Sequence, residues 1–383
     1  MNRDFRKIGY ILGILGVSLI VFLYGFRLSY PLEPYYDEVY YVNFIRQLTN
    51  LQAYNTSLTI HPPLSHFVDA VFLLLLGDHS WVWRLSALLC GLAVLVLIYL
   101  VTKLFFRNTV VAIFAVVLFA LNGLSITQAR IEMPNAMMLM FSLLSFYFFL
   151  CYRLDRVMSK EICILATGIC LGLAFATKLP ALSWMVMFCL ISFNDLRKRS
   201  DHALRLEEIF GFFVLLPFLI YFLCHLFIPF LQNHTWSDIW KIQQVNLNYH
   251  FHIANTQTHG YSSPWWSWPL MLRPIWYFFK SSHGVVNGIF CVGNPMVLWA
   301  FPLGLIFAVW RFLRKEFFPS GKLCRVKLNG LVNGKAVELP FACRSVQLPK
   351  GFTKNMDTAA DDCSAPEPNP SPSPLPSPSP SSR

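Results

Sequence analysis

The chain reads as an all-α polytopic membrane protein with about eight transmembrane helices, and three observations carry that reading. Charged residues make up 13% of the 383 positions and hydrophobic ones 55%, whereas soluble domains carry about 25% charged residues. The apolar residues gather into runs long enough to cross hydrocarbon. The basic residues behind the net charge of +11 fall in short clusters between alternate runs, as in cytoplasmic loops. That distribution excludes a nucleic-acid-binding surface.

Arg3, Arg6 and Lys7 precede an apolar stretch from Ile8 to Phe26, roughly 28 Å as a helix and sufficient for one crossing. No small-residue cleavage site follows, so it reads as a retained first helix. The basic flank puts the N-terminus in the cytoplasm and residues 27–81 outside. Within that loop the apolar run His66–Gly77 is too short to span and is interrupted by Asp69; it fits a helix lying at the interface. Further spans are expected at Trp81–Thr102, Thr109–Ile126, Met133–Cys151, Ile162–Thr177, Leu179–Phe193, Ile209–Leu231 and Asn294–Trp310. Threaded alternately, they place Lys103 and Arg107, then Arg153, Arg156 and Lys160, then Arg197, Lys198, Arg199 and Arg205, and finally Arg311, Arg314 and Lys315 inside. Every inside loop is then basic, and merging the two short spans around Lys178-Leu179-Pro180 would invert the later ones.

Two outer segments remain, 27–81 and 232–292. The second is dense in Trp and Tyr, which suit a headgroup interface or a sugar and polyprenyl chain. The expected membrane domain covers 1–316. Residues 317–383 are polar and end in a Pro/Ser repeat that cannot bury a core and reads as disordered. The cysteines at 90, 151, 163, 170, 189 and 224 lie in apolar runs, as small hydrophobes rather than a disulfide framework.

The candidate chemistry lies outside. Asp37 and Glu38 sit among Tyr35, Tyr36, Tyr40 and Tyr41. Neighbours on a helix point about 100° apart, so one carboxylate could serve as general base while the other orients sugar or backbone. Acidic residues also favour the first turn of a helix for purely structural reasons. Arg84, Arg130, Lys178 and Arg273 are cations on the side where cations are scarce, and phosphate is a natural partner for them. Snorkelling to headgroups is the competing explanation. His61, His259 and Trp266 are candidate substrate contacts. His250, His252 and His259 do not form a metal site, because an i, i+2 pair converges only in a strand and no carboxylate or cysteine adjoins it; no metal or cofactor is expected.

These residues resemble, in order, the motifs of the protein O-mannosyltransferase family of GT-C type membrane glycosyltransferases. The matching pieces are Asp37-Glu38, His61-Pro62-Pro63-Leu64, Arg84-Leu85 with Gly91, Ala129-Arg130-Ile131 and Gly172-Leu173-Ala174-Phe175-Ala176-Thr177-Lys178. They continue through His259, Ser262-Ser263, Trp266-Ser267-Trp268-Pro269, Arg273-Pro274 and Gly293-Asn294-Pro295. The resemblance implies transfer of mannose, with inversion, from a polyprenyl or dolichyl phosphate to protein Ser/Thr hydroxyls on the extracytoplasmic face. Asp37 would be the base with Glu38 beside it, and Arg84 a donor or structural contact. A lipid or glycan acceptor, or a non-catalytic scaffold or transporter, are the alternatives, and dimerisation is left open. The expected location is a bacterial inner membrane, or the endoplasmic reticulum if the source is eukaryotic. Three departures stand out: Asn135 occupies the family's usual aspartate position, the second outer loop has no room for a lumenal domain, and the chain shows fewer than the family's roughly eleven spans.

Overall fold

The computed structural model describes residues 3–50, 60–154, 158–231, 234–253, 261–313, 325–332 and 335–342. His259 and the Pro/Ser repeat lie outside these residues. The chain divides into two compact units, Met1–Gly304 and Leu305–Arg383.

The first unit is mostly helical. Its elements run α1 (Arg3–Gly25), α2 (Glu38–Thr49), α3 (Leu64–Leu76), α4 (Ser80–Trp83), α5 (Leu85–Phe106), α6 (Thr109–Ala120), α7 (Gly123–Gln128), α8 (Asn135–Arg153) and α9 (Lys160–Thr177). They continue with α10 (Leu182–Arg197), α11 (Leu206–Phe210), α12 (Leu216–His225), α13 (Trp236–Asn248), a hairpin of β1 (Ile275–Ser282) and β2 (Val285–Cys291), and α14 (Pro295–Leu313), which runs into the second unit. Among the described residues of that unit, β3 (Arg325–Val332) pairs antiparallel with β4 (Lys335–Ala342). The two hairpins correct the all-α expectation. Ile275 and the aromatic run Trp276–Phe279 suit the pleated surface of β1, and His283-Gly284, both at positive φ, make the tight turn a two-residue hairpin needs.

Among the described residues, five segments are long and apolar enough to cross a membrane: Leu85–Phe106, Asn135–Arg153, Lys160–Thr177, Leu179–Arg197 and Leu206–Phe230. The stretches Gly13–Gly25, Thr109–Ala120 and Pro295–Phe307 are apolar but shorter. The expected span Thr109–Ile126 is broken because Asn122 caps α7 through Leu124 N and also accepts from Asn294 N. At Lys178 the chain turns extended, φ −158 and ψ 137, before a 3-10 turn leads into α10.

α8 packs along both α5 and α9, α12 lies against α9, and α6 against α5. Phe149, Leu171, Phe175, Phe188, Phe213 and Tyr221 centre the largest apolar cluster. A second core joins α2, α3 and α4 to Ile228, Leu231 and Ile242. Hydrophobic residues such as Leu89, Val96, Val110 and Phe114 face outward on α5 and α6, the inverse of a soluble surface and fitting for helices solvated by lipid tails. The chain is an integral membrane protein.

Candidate active site

The helix ends sort by chemistry. Lys103, Arg153 and Arg197 close α5, α8 and α10. At the opposite ends stand Arg84 before α5, residues 129–134 before α8, and Lys178 after α9. α2 begins among this second group.

Tyr36 adopts φ +55, a left-handed conformation that a bulky side chain rarely takes and that surrounding structure must enforce. Its ring lies 4.3 Å from that of Tyr277 on β1. The turn sets Asp37 as the N-cap residue of α2, where its carbonyl accepts from Tyr40 N and Tyr41 N. Its side chain makes no cap hydrogen bond, so the carboxylate is not spent on the helix. Burial raises its pKa and the Lys178 ammonium pulls it back down. Lys178 is the mirror case: burial lowers its pKa and Asp37 opposes the shift. Lys178 Nζ donates to Asn135 Oδ1 at 2.6 Å. Asn135 donates in turn to Gln128 Oε1 at 2.8 Å, and Gln128 to the Tyr277 hydroxyl at 2.6 Å. A polar relay thus runs from the acid and its cation to the ring beneath Tyr36.

Glu38 does a different job. Its carboxylate, fully buried, receives Arg84 Nε at 2.7 Å and Nη2 at 2.8 Å, and also the backbone amides of Tyr35 and Glu132. Arg84 completes its fork by donating from Nη1 to the carbonyls of Leu28 and Pro31, each at 2.9 Å, with Tyr35 stacked 5.0 Å from its guanidinium carbon. At zero exposure Arg84 presents no surface to a phosphate, which favours the structural one of the two contacts expected of it; the Glu38 carboxylate is likewise occupied by its four donors. Arg130 donates to the carbonyls of Leu23, Tyr24 and Phe26, capping the end of α1.

His61 is buried, stacked near Tyr41 and His250. Burial and the nearby Lys178 push its pKa down to about 3, so the ring is neutral. Arg273 and Trp266 are exposed; Arg273 donates to Ser262 O and lies over Tyr261, within its own segment. Sequence reasoning named Asp37 and Lys178, which the structure brings within electrostatic reach of one another, and noted Asn135 only as a departure from the family's aspartate; it passed over Gln128 and Tyr277, whose side chains meet across 149 positions. It also passed over His66 and Glu132, buried with Asp69 beside the Glu38 clamp. The one available signal was Asp69, a lone charge in an apolar run with a histidine one helical turn before it.

A family model described as dolichyl-phosphate-mannose-protein mannosyltransferase matches residues 14–210, and one for the C-terminal four-TMM region of protein-O-mannosyltransferase matches 235–317. The polyprenol-phosphate-mannose–protein mannosyltransferase of Mycolicibacterium smegmatis is 22% identical over 351 residues, covering 73% of this chain and 66% of the relative. That of Mycobacterium tuberculosis is 24% identical over 352 residues, covering 74% and 67%. The chain thus spans about two-thirds of the length of these curated relatives. Among solved structures, ArnT from Cupriavidus metallidurans in the apo state shares the fold, with TM-score 0.54 and 15% identity over 82% of this chain and 52% of that one.

Proposed function

Because this chain belongs to the dolichyl-phosphate-mannose–protein mannosyltransferase family, we propose that it transfers mannose from a polyprenyl phosphate to protein Ser or Thr hydroxyls. Asp37 takes the proton of the acceptor hydroxyl. The hydroxyl oxygen attacks the anomeric carbon from the face opposite the phosphate, and the bond from that carbon to the phosphate oxygen breaks. The polyprenyl phosphate leaves with the electron pair, and the configuration inverts. Lys178, whose charge reaches Asp37, supplies positive charge toward the departing phosphate. Glu38, Arg84 and Arg130 are positioning residues that fix the chain on either side of Asp37. Because the phosphate is itself the leaving group, the transfer draws on no further co-substrate.

The observation carrying this reading is the uncapped Asp37 carboxylate in the field of a half-buried lysine, at the helix ends away from the basic clusters. By the basic-loop bias those ends are extracytoplasmic, with eight crossings in all, α3 at the interface and a bacterial inner membrane as the setting. The test is the full chain in nanodiscs with polyprenyl-phosphate mannose and a Ser/Thr peptide, products read by mass spectrometry. The parent should add one hexose to the peptide, and Asp37→Asn should slow transfer by about 10²–10⁴-fold. An Asp37→Asn variant as fast as the parent would remove the base assignment, and hexose found on lipid instead of peptide would overturn the acceptor.

A further inference from the structure

We propose that His66, Asp69 and Glu132 form a divalent-cation site of the zinc or manganese type, joining α3 to the turn before α8. The site stands on geometry independent of the transferase reading. His66 and Asp69 are one turn apart on α3, the i, i+3 spacing by which a helix offers two ligands to one ion. Glu132 arrives from the 129–134 turn, held by the buried Ile131 and by its own amide, which donates to Glu38 Oε1 at 2.9 Å. One ligand atom from each residue lies within 4.8 Å of the others, and all three residues are buried. Ligands of a tetrahedral zinc sit about 3.3 Å apart, a gap that side-chain rotation closes.

With both carboxyls ionised, the polar atoms at this point have no hydrogen-bond partner: His66 Nδ1, Asp69 Oδ1 and both carboxylate oxygens of Glu132; the two carboxyls themselves lie within hydrogen-bonding reach of each other. His66 Nδ1 and Glu132 Oε1 stand 3.8 Å apart, too far for a hydrogen bond. A proton shared by the carboxyls would satisfy one oxygen of each and leave the histidine nitrogen and a glutamate oxygen orphaned, whereas an ion satisfies all three side chains.

Charge points the same way. Glu38 is offset by Arg84 and Asp37 by Lys178. The ionisable side chains nearest Asp69 and Glu132 are other carboxylates and His66. Two buried carboxylates without a countercharge are costly, and one divalent ion makes the cluster neutral. The imidazole nitrogen in the donor set selects zinc or manganese over calcium or magnesium. Ser86 hydrogen-bonds Asp69, as outer partners of metal-bound carboxylates do. Through Glu132 N and Glu38, the ion would steady the first turn of α2.

The test is metal content of the full chain, purified in detergent and exchanged into metal-free buffer, followed by separate Zn²⁺ and Mn²⁺ titrations monitored by thermal unfolding. The parent should hold close to one equivalent and melt higher with metal than with chelator. Glu132→Gln and His66→Asn should lose that equivalent, and Ser86→Ala, which removes no ligand, should weaken binding about 10–100-fold. A parent that binds no ion overturns the proposal, as does an equivalent that persists undiminished in all three variants. Should the ligand variants fail to fold, parent stoichiometry and Ser86→Ala decide it.

Discussion

Asp37 and Glu38 are adjacent and carry the same functional group, yet their surroundings divide the work. Glu38 accepts from Arg84 twice and from two amides, so its charge belongs to the fold. Removing one member of a buried ion pair leaves the other uncompensated and costs about 3–5 kcal/mol. Arg84→Ala and Glu38→Ala should therefore both lower the thermal midpoint of the purified protein sharply, and the apolar double variant Arg84→Leu/Glu38→Met should recover much of the loss. Asp37 is linked instead to Lys178, and their opposed shifts give a pH signature. A base acts in its charged form, which is lost as pH falls through its pKa; burial lifts that pKa above the ordinary 3.8 and brings the acid limb closer to neutrality. Lys178 loses its charge as pH rises, and burial brings that limb down from 10.5. The profile of kcat/KM should be bell-shaped, and Lys178→Met should abolish the alkaline limb while moving the acid limb upward. Residue spacing alone could rank the doublet as a candidate pair but not separate its members, which only the family resemblance did; in the structure the separation comes from Arg84, 46 positions away.

At the scale of elements, α9 and α12 approach backbone to backbone. A Cβ at Gly172 would meet Ile220 Cβ at 2.9 Å and Pro217 Cα at 3.0 Å, and one at Gly168 would meet Phe212 O at 2.5 Å. Small residues permit such approaches where lipid tails supply no hydrophobic drive between helices. Gly172→Leu should force the pair apart and cost about 1–3 kcal/mol, whereas Gly16→Ala on α1, with nothing within 4 Å, should leave the melting midpoint unchanged; scanning fluorimetry distinguishes the two. The helices themselves were legible from apolar run length. The break at Asn122 was not, since a single asparagine in an apolar run is uninformative until its partner at Asn294 is known. The β1–β2 hairpin did carry a signal in its strand-forming residues and His283-Gly284 turn, but one that an aromatic-rich interface segment shares.

Across the first unit, Lys103, Arg153 and Arg197 fall at the helix ends opposite the candidate site, a separation already present in the order of charged residues along the chain. It sets a definite orientation to be measured. In a background without native cysteines, Glu33→Cys should react with a membrane-impermeant maleimide on intact cells, and Lys198→Cys only after permeabilisation; labelling of both from one side would refute the alternating threading. The reaction-centre geometry was less legible, because it depends on depth and rotation of packed helices rather than on their order.

Arg84 and Arg130 between them hold the carbonyls of Leu23, Tyr24, Phe26, Leu28 and Pro31, the stretch where α1 gives way to the loop carrying Asp37. These two forks moor α1 at one tip, so its depth is set relative to the acid rather than to the bilayer midplane. In a thicker or thinner membrane the mismatch would be absorbed at the far, N-terminal tip by tilt or local lipid deformation, so the junction between α1 and the loop carrying Asp37 keeps its geometry from one bilayer to the next.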